Sequence, residues 1–239
     1  MRSTAEVRTV LPSANPLRSP AAPTFTVLGF APDFVDYQRG LEAQQDAAAA
    51  LSSGATRGTV LVLEHDPVYT AGRRSEPHEY PNDGTPVVPV NRGGKVTWHG
   101  PGQLIAYPVI RLADGLGGVN LVHALEKALI ATIADLGVPS YRIEGRTGVW
   151  TDPPRDAPPG TPPDKLAQIG IHVSRRIVTH GISLNCSNDL APFASFVPCG
   201  ISDGGVTTLS ERAGRTITPA DAAPILQYHL APALERLSA

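Results

Sequence analysis

The densest group of residues able to do chemistry is RGGKVTWHGPGQ, residues 92–103, in which four glycines and a proline accompany Arg92 and His99. Glycines let a backbone approach a ligand closely and leave amide groups available to an oxygen, while Arg92 and His99 offer charge and hydrogen bonds. Taken by its residues alone, the segment is equally well explained as a β-hairpin with glycine turns. It is not a P-loop, because the GxxxxGK[ST] spacing is absent.

A second candidate is Cys199, which stands between Pro198 and Gly200 in FVPCGI. A cysteine on such a turn presents its sulfur at a sharp bend, where neighbouring amides can receive an oxyanion. Composition alone favours the alternative of a buried core residue, the commonest fate of a free cysteine. Cys186 follows an apolar run and fits that core role. No CxxC or paired-histidine spacing indicates zinc, so we expect no metal.

Lys165 is the third candidate, because lysine is scarce in a chain with 17 arginines and only three lysines. An amine can lose its proton whereas guanidinium cannot, so a retained lysine is a candidate base. Lys165 opens the largely apolar run KLAQIGI, which predicts that its side chain faces a partly buried pocket. Burial lowers a lysine pKa, and an amine near Cys199 would then accept the thiol proton, the two groups titrating as a pair. The alternative is an exposed lysine at a strand end.

Short β-rich runs and amphipathic helices must position these candidates. Helical spacing predicts a first helix from an Asp33 N-cap to Gly54 and a second helix over 119–136, ended by Gly137. Strands are predicted at 59–64, 86–90, 95–98, 104–110, 148–150, 166–173 and 177–184. Their mixed order, without a regular βαβ repeat, favours an α+β domain with a mixed, largely antiparallel sheet flanked by helices.

The end of the chain carries two capping boxes. Thr208 with Glu211 predicts a short helix that ends near Gly214. Thr218 with Asp221 predicts a C-terminal helix, which two internal prolines must interrupt or kink. These two prolines are Pro224 and Pro232.

Domain organisation follows from length and composition. The 239 residues suit one globular domain over 24–239, preceded by a proline-containing disordered leader over 1–23. The run DPPRDAPPGTPPD over 152–164 is too rich in proline for a core element and is predicted to be an inserted surface loop. Arginines and serines in the leader faintly resemble a transit peptide, but its prolines disfavour the required amphipathic helix.

The global charge and hydropathy exclude several classes of protein. A net charge of -2 and 5% aromatic residues argue against a nucleic-acid-binding face. No stretch approaches the roughly 20 apolar residues of a membrane span, and the N-terminus lacks the apolar core of a signal peptide. We therefore expect a soluble, cytoplasmic protein that contacts neither nucleic acid nor membrane.

The sequence resembles the lipoyl(octanoyl) transferase family. The segment RGGKVTWHGPGQ looks like the signature of that family, and further similar segments occur in family order across about residues 59–205. They are EHDPVYTAGRR, GVW, KLAQIGI, THGISLN and FVPCGI. The resemblance implies a biotin/lipoate ligase-like domain that carries an octanoyl group as a thioester on Cys199, with Lys165 as its partner.

The resemblance also implies a substrate pocket and the partners of the reaction. The matching stretches suggest that the acyl substrate contacts Arg92, Gly93, Gly94, Lys95, Val96, Thr97, Trp98, His99, Gln168, Ile169, Gly170, Gly181, Ile182 and Ser183. The expected donor is octanoyl-acyl carrier protein, and the expected acceptors are lipoyl domains of 2-oxoacid dehydrogenase E2 subunits and the glycine cleavage H protein. No cofactor is expected beyond the phosphopantetheine of the donor, and the enzyme is expected to be a monomer.

Several points stay open at this stage. His65, His99 and His180 each fall inside a motif and could orient a carbonyl or relay a proton, with His99 the leading candidate, or be structural. Acyl carrier proteins are acidic, so two arginine pairs, 73–74 and 175–176, are candidate contacts for the donor. The alternative functions are an ATP-dependent lipoate- or biotin-type ligase and a non-catalytic lipoyl-domain-binding protein.

Overall fold

Two β-sheets and four α-helices make up the part of the chain that the computed structural model describes, residues 22–81, 84–196 and 204–239. The strands are β1 (Thr24–Gly29), β2 (Thr59–Leu63), β3 (Val68–Ala71), β4 (Val87–Pro89), β5 (Val96–His99), β6 (Gln103–Val109), β7 (Tyr141–Ile143), β8 (Arg146–Thr151), β9 (Asp164–Ser174), β10 (Ile177–Asn185) and β11 (Gly205–Val206). The helices are α1 (Tyr37–Ser52), α2 (Gly118–Asp135), α3 (Leu209–Ala213) and α4 (Pro219–Glu235), with short 3-10 turns at Pro77–Glu79 and Ala191–Ser195.

The larger sheet has the strand order β1-β2-β6-β10-β9-β8-β7, and the smaller sheet has the order β4-β3-β5. Pairing in the larger sheet is antiparallel from β2 to β7, while β1 lies parallel to β2. The short strand β11 runs parallel to the start of β9, with Val206 opposite Lys165. The expected α+β class with a mixed, largely antiparallel sheet is confirmed.

Both faces of the large sheet are covered, because its central strands carry apolar side chains on each side. In β2, Val60 and Val62 belong to the main core with α2 and α4, whereas Leu61 and Leu63 pack on the opposite face. Helix α1 contacts that second face through β2, β6 and β10. A strand buried on both sides is expected to be a continuous apolar run, as TVLVL is. The sheet is therefore the rigid middle layer on which the site is built.

The first helix begins later than the spacing suggested. Its N-cap is Asp36, whose side chain accepts hydrogen bonds from the backbone of Gln38 and Arg39, so the predicted Asp33 cap is wrong. The intervening chain is extended instead, because Val35 forms an isolated bridge with His65. A contact distant in sequence thus fixes where the helix begins.

The two predicted capping boxes near the C-terminus are confirmed. Thr208 caps α3, which ends at Gly214 in a left-handed conformation, and Thr218 caps α4 through the backbone of Asp221. The two internal prolines were predicted to interrupt or kink α4, and the helix continues from Pro219 to Glu235 without an interruption. Its buried leucines pack against α2, which holds the helix together despite the lost backbone donors.

Two predicted segments need separate mention. Residues 1–21 of the predicted leader lie outside the described residues. Cys199 also lies outside them. Residues 152–163 connect β8 to β9 without a helix or strand and are mostly exposed, while Asp164 already belongs to β9. In the described part of the chain, no helix is long and apolar enough to cross a membrane.

Candidate active site

A cavity of about 440 Å³ opens beside the middle of β9 and β10, within the size range of small-molecule sites. The glycine-rich turn before β5 forms one wall, and the turn between β7 and β8 forms another. Tyr37 of α1, Tyr107 of β6 and Val122 of α2 complete the lining. Helix α1, the large sheet and helix α2 therefore all contribute to one cavity.

A β-bulge aims Lys165 and Gln168 into this cavity together. Side chains alternate along a strand, so residues three positions apart ordinarily face opposite sides. Here Leu166 and Ala167 both belong to the main core on the far side. Two consecutive residues of β8 pair with Ala167 and Lys165, which leaves Leu166 as the extra residue of the bulge. The irregularity returns Lys165 to the cavity face.

The Lys165 side chain lies in a confined slot. Lys165 is only 6% exposed, and its ammonium lies 4.8 Å from the ring centre of Trp150, within cation–π range. Gly148 lies directly against the Lys165 side chain and has φ +122°, a conformation that favours glycine. The Glu126 carboxylate of α2 accepts the Gly148 N–H at 3.1 Å. Helix α2 therefore anchors the backbone that confines this lysine.

Arg92 organises the glycine-rich turn. Its guanidinium donates to the carbonyl and hydroxyl oxygens of Thr70 at 2.6 and 2.7 Å, and to the carbonyls of Gly93 and Lys95 at 2.9 Å. The stem of Arg92 passes so close to Gly170 that a Cβ there would lie 2.9 Å from Cδ. Arg92 thus joins the small sheet to the cavity wall, and these hydrogen bonds offset the cost of burying its guanidinium.

Both ring nitrogens of His99 have hydrogen-bond partners within the protein. Its Nδ1 lies 2.7 Å from Gln103 Oε1 and its Nε2 lies 3.4 Å from Thr70 Oγ1. Gln103 is oriented in turn by Asn185, whose side chain donates to the Thr207 carbonyl. Burial, followed by the nearby charge of a second histidine, lowers the pKa of His99 to about 3. The ring is neutral at pH 7, and its bonds fit the structural alternative.

The two other motif histidines are likewise neutral and bonded. His65 bridges the Val35 carbonyl and the Tyr107 hydroxyl at 2.7 and 2.8 Å. His180 Nε2 lies 2.7 Å from Asn91 Oδ1. Burial lowers the pKa of both histidines to about 4. Among the described residues, no group of three or more His, Cys, Asp or Glu side chains could hold a metal ion.

Gln168 and Ser183 face each other across β9 and β10. The Ser183 hydroxyl donates to Gln168 Oε1 at 2.7 Å, which fixes the orientation of the carboxamide. Gln168 is 8% exposed, and within the described part of the chain its Nε2 has no hydrogen-bond partner. Both residues line the cavity.

Cys186 has the core role expected of it. The residue is fully buried, and burial raises the pKa of its thiol well above the ordinary value. A thiol that does not ionise is a poor nucleophile.

Comparison with known proteins identifies the family. The family model described as the lipoyl protein ligase A/B catalytic domain matches residues 36–231. The chain belongs to this family. An octanoyltransferase from Clavibacter sepedonicus is 51% identical over 214 residues, which cover 89% of this chain and 91% of that protein. One from Mycobacterium tuberculosis is 53% identical over 184 residues, 77% of this chain and 76% of that protein.

A solved structure supports the fold of this lipoyl protein ligase A/B domain. The bipartite lipoate protein ligase from Thermoplasma acidophilum superposes with a TM-score of 0.64 at 12% identity. The match covers 89% of this chain and 83% of that chain. The expected lipoate ligase-like architecture is thereby confirmed.

Most of the residues that the family resemblance places at the substrate do line the cavity. They are Arg92, Gly93, Gly94, Thr97, His99, Gln168, Ile169, Gly170, Gly181, Ile182 and Ser183, together with Lys165. Contact between these residues and a substrate stays a prediction.

Three residues of the predicted set are turned away from the cavity of this family domain. The side chain of Lys95 pairs with Glu79, while Val96 and Trp98 pack in a second core cluster with Phe193. Strand alternation in β5 turns Val96 and Trp98 away, because it directs neighbouring residues to opposite faces. Lys95 precedes β5, and its ion pair with Glu79 holds its side chain away from the cavity.

The cavity also contains residues that the sequence analysis did not assign to it. These are Tyr37, Tyr107, Val122, Gly145, Arg146, Thr147 and Ile171, in addition to His180 and Arg74, which it had considered for other roles. Ile171 ends the recognised motif KLAQIGI, and residues 145–147 directly precede the motif GVW. Tyr37, Tyr107 and Val122 lie in none of the recognised motifs.

Proposed function

We propose that the protein is an octanoyltransferase, which moves an octanoyl or lipoyl group from acyl carrier protein to a lysine of a lipoyl domain. The proposal is supported above all by the octanoyltransferase of Clavibacter sepedonicus, with 51% identity over 89% of the chain. The cavity, with a buried lysine on its wall, has a size suited to an acyl group.

The reaction is a double displacement through Cys199. Its thiolate attacks the thioester carbonyl of the donor, a new carbon–sulfur bond forms, and the phosphopantetheine thiolate leaves and takes up a proton. The acceptor lysine amine then attacks the enzyme thioester, which forms the amide, releases the Cys199 thiolate and loses a proton. Exchange between thioesters is nearly isoenergetic and amide formation from a thioester is downhill. The reaction therefore needs no ATP, metal or cofactor.

Lys165 is proposed to take the Cys199 proton and return it to the leaving thiol. Its support is positional: the residue is 6% exposed and lines the cavity. Val206 of β11, seven residues after Cys199 in the sequence, pairs with Lys165. Lysine suits this role because it can exist without its proton, as arginine cannot.

Recognition of the protein substrates is proposed to be electrostatic on the donor side. The exposed Arg74 lies at the cavity, where it can attract an acidic carrier protein. Acceptors are proposed to be the lipoyl domains of 2-oxoacid dehydrogenase E2 subunits and the glycine cleavage H protein. The enzyme is proposed to act as a monomer in the cytoplasm, where a catalytic thiol stays reduced.

Incubation with octanoyl-acyl carrier protein, followed by intact mass measurement and peptide mapping, tests the proposal. We expect an octanoyl adduct on Cys199 that is lost in Cys199→Ala and kept in the matched thiol control Cys186→Ala. Added lipoyl domain should then discharge the adduct and gain the octanoyl group. An adduct that persists in Cys199→Ala would exclude this nucleophile. A requirement for ATP and free octanoate would establish the ligase alternative, and a stable complex without turnover would establish the binding protein.

A further inference from the structure

The carboxamide of Gln168 is an incomplete hydrogen-bonding group on the cavity wall. One end is fixed, because the Ser183 hydroxyl donates to Oε1 at 2.7 Å across the paired strands. The other end, Nε2, is buried, and among the described residues it has no acceptor. Buried amide donors are almost always paired, since an unmade hydrogen bond in a buried place is unfavourable. Nε2 is thus a donor held ready for an acceptor that arrives with a ligand.

The chemistry of the ligand identifies that acceptor. If the ligand is the octanoyl thioester of the proposed function, its hydrocarbon chain contains no hydrogen-bond acceptor. Its strongest acceptor is the carbonyl oxygen, which is also the atom that becomes negative during attack. The bulge at Leu166 places Gln168 on the same face of β9 as Lys165, the proposed proton carrier. A carbonyl beside Gln168 therefore lies on the same wall of the cavity as Lys165.

We infer that Gln168 Nε2 donates a hydrogen bond to the carbonyl oxygen of the acyl thioester and stabilises the negative charge on that oxygen as the carbonyl is attacked. This inference rests on the octanoyl transfer proposed above. Ser183 is the positioning residue of the pair, because its hydroxyl holds Oε1 and so directs Nε2 towards the ligand. A preorganised donor acts without having to reorient when charge develops, which makes it effective in catalysis.

The test uses the full chain with octanoyl-acyl carrier protein as substrate. Gln168→Leu removes the donor at similar size, Gln168→Asn keeps a carboxamide but withdraws it by one methylene, and Ser183→Ala leaves the donor without its orienting bond. Removal of one such donor typically lowers kcat by about 10²-fold or more. We expect this loss in kcat for Gln168→Leu, with a much smaller change in KM, and intermediate losses for the other two variants.

A spectroscopic measurement separates this role from a purely structural one. The acyl-enzyme is formed with a ¹³C-labelled carbonyl, and its stretching band is read by infrared difference spectroscopy. A hydrogen bond to the oxygen weakens the C=O bond, so the band should move to higher frequency in Gln168→Leu and Gln168→Asn. Thermal unfolding of each variant checks that the fold is kept.

The outcomes are distinct. Wild-type kcat in Gln168→Leu, or an unchanged carbonyl band in both Gln168 variants, would overturn the inference while leaving octanoyl transfer intact. Failure of the wild-type protein to form an acyl-enzyme would instead reject the proposed function. If Gln168→Leu does not fold, the band positions of Gln168→Asn and Ser183→Ala decide, and unchanged bands in both overturn the inference.

Discussion

A methyl group added at Gly148 should disable the enzyme by displacing Lys165. In Gly148→Ala the new Cβ would lie 2.5 Å from Lys165 Cε, 3.2 Å from Lys165 Nζ and 2.5 Å from the Ala167 carbonyl oxygen. Carbon atoms in contact prefer about 3.5 Å, so roughly 1 Å of movement is required. The Ala167 oxygen belongs to the central strand β9, which yields less readily than a side chain. The Lys165 side chain therefore takes much of the displacement.

The magnitudes follow from this geometry. A displacement of about 1 Å in an active site typically lowers the rate by about 10²-fold, which is the loss we expect for acyl transfer. Stability should fall as well, because Gly148 has φ +122°, where an alanine is strained by about 1–3 kcal/mol. The two effects are separable, since a destabilised enzyme assayed well below its unfolding temperature is still folded.

Gly137→Ala is the matched control. Gly137 follows α2 with φ +86°, a Cβ there would meet nothing within 4 Å, and the residue does not line the cavity. This variant carries backbone strain without contact with Lys165, so it should lose stability and keep its rate. The assay is the single-turnover rate of octanoyl transfer from acyl carrier protein, with urea unfolding in parallel. Equal rates in Gly148→Ala and Gly137→Ala would refute the role of Gly148 in holding Lys165.

Three further predictions concern the proton carrier, the histidines and a helix cap. Lys165→Arg should lower transfer by about 10²–10⁴-fold because guanidinium cannot exchange a proton, and near-normal turnover would remove Lys165 as the base. His65, His99 and His180 have folded-state pKa values lowered to about 4, 3 and 4, so the unfolded chain binds more protons as pH falls. Their contribution to stability should be complete above about pH 6.5 and decline towards pH 4, and urea midpoints that do not change over this range would contradict it. Thr208→Ala removes the cap of α3 and should cost about 1 kcal/mol of stability in urea unfolding, whereas an unchanged midpoint would show that the cap contributes nothing.

The elements that local chemistry determines were the ones that the sequence predicted well. Helix α2 ends beside Gly137 as expected, because Gly137 adopts φ +86° there. The capping boxes at Thr208 and Thr218 form as expected, since each cap joins residues three positions apart. Asp33 and Asp36 are both adequate N-caps by residue type. The choice between them depends on the bridge from Val35 to His65, which no local pattern contains.

Alternation explains why part of the predicted substrate set does not line the cavity. A contiguous stretch that lies on a strand directs only every second side chain to one face, so residues 96–99 of β5 could not all line the same cavity. Thr97 and His99 do line it, whereas Val96 and Trp98 pack with Phe193 on the other side. The alternation of side chains along a strand could be predicted from the sequence alone. Only the structure shows which of the two faces of β5 lines the cavity.

The bulge at Leu166 could not be predicted in this way, because it places Lys165 and Gln168 on the same face, whereas alternation predicts opposite faces. KLAQIGI has no glycine or proline at the bulge, and a regular strand would direct Lys165 and Gln168 to opposite faces. The core holds the strand in its bulged form, since Leu166 and Ala167 are both fully buried against the same cluster. Two side chains that have roles in the proposed mechanism thus share a face because two apolar neighbours share the other. The packing of the main core therefore positions this wall of the cavity, and that coupling becomes visible only in three dimensions.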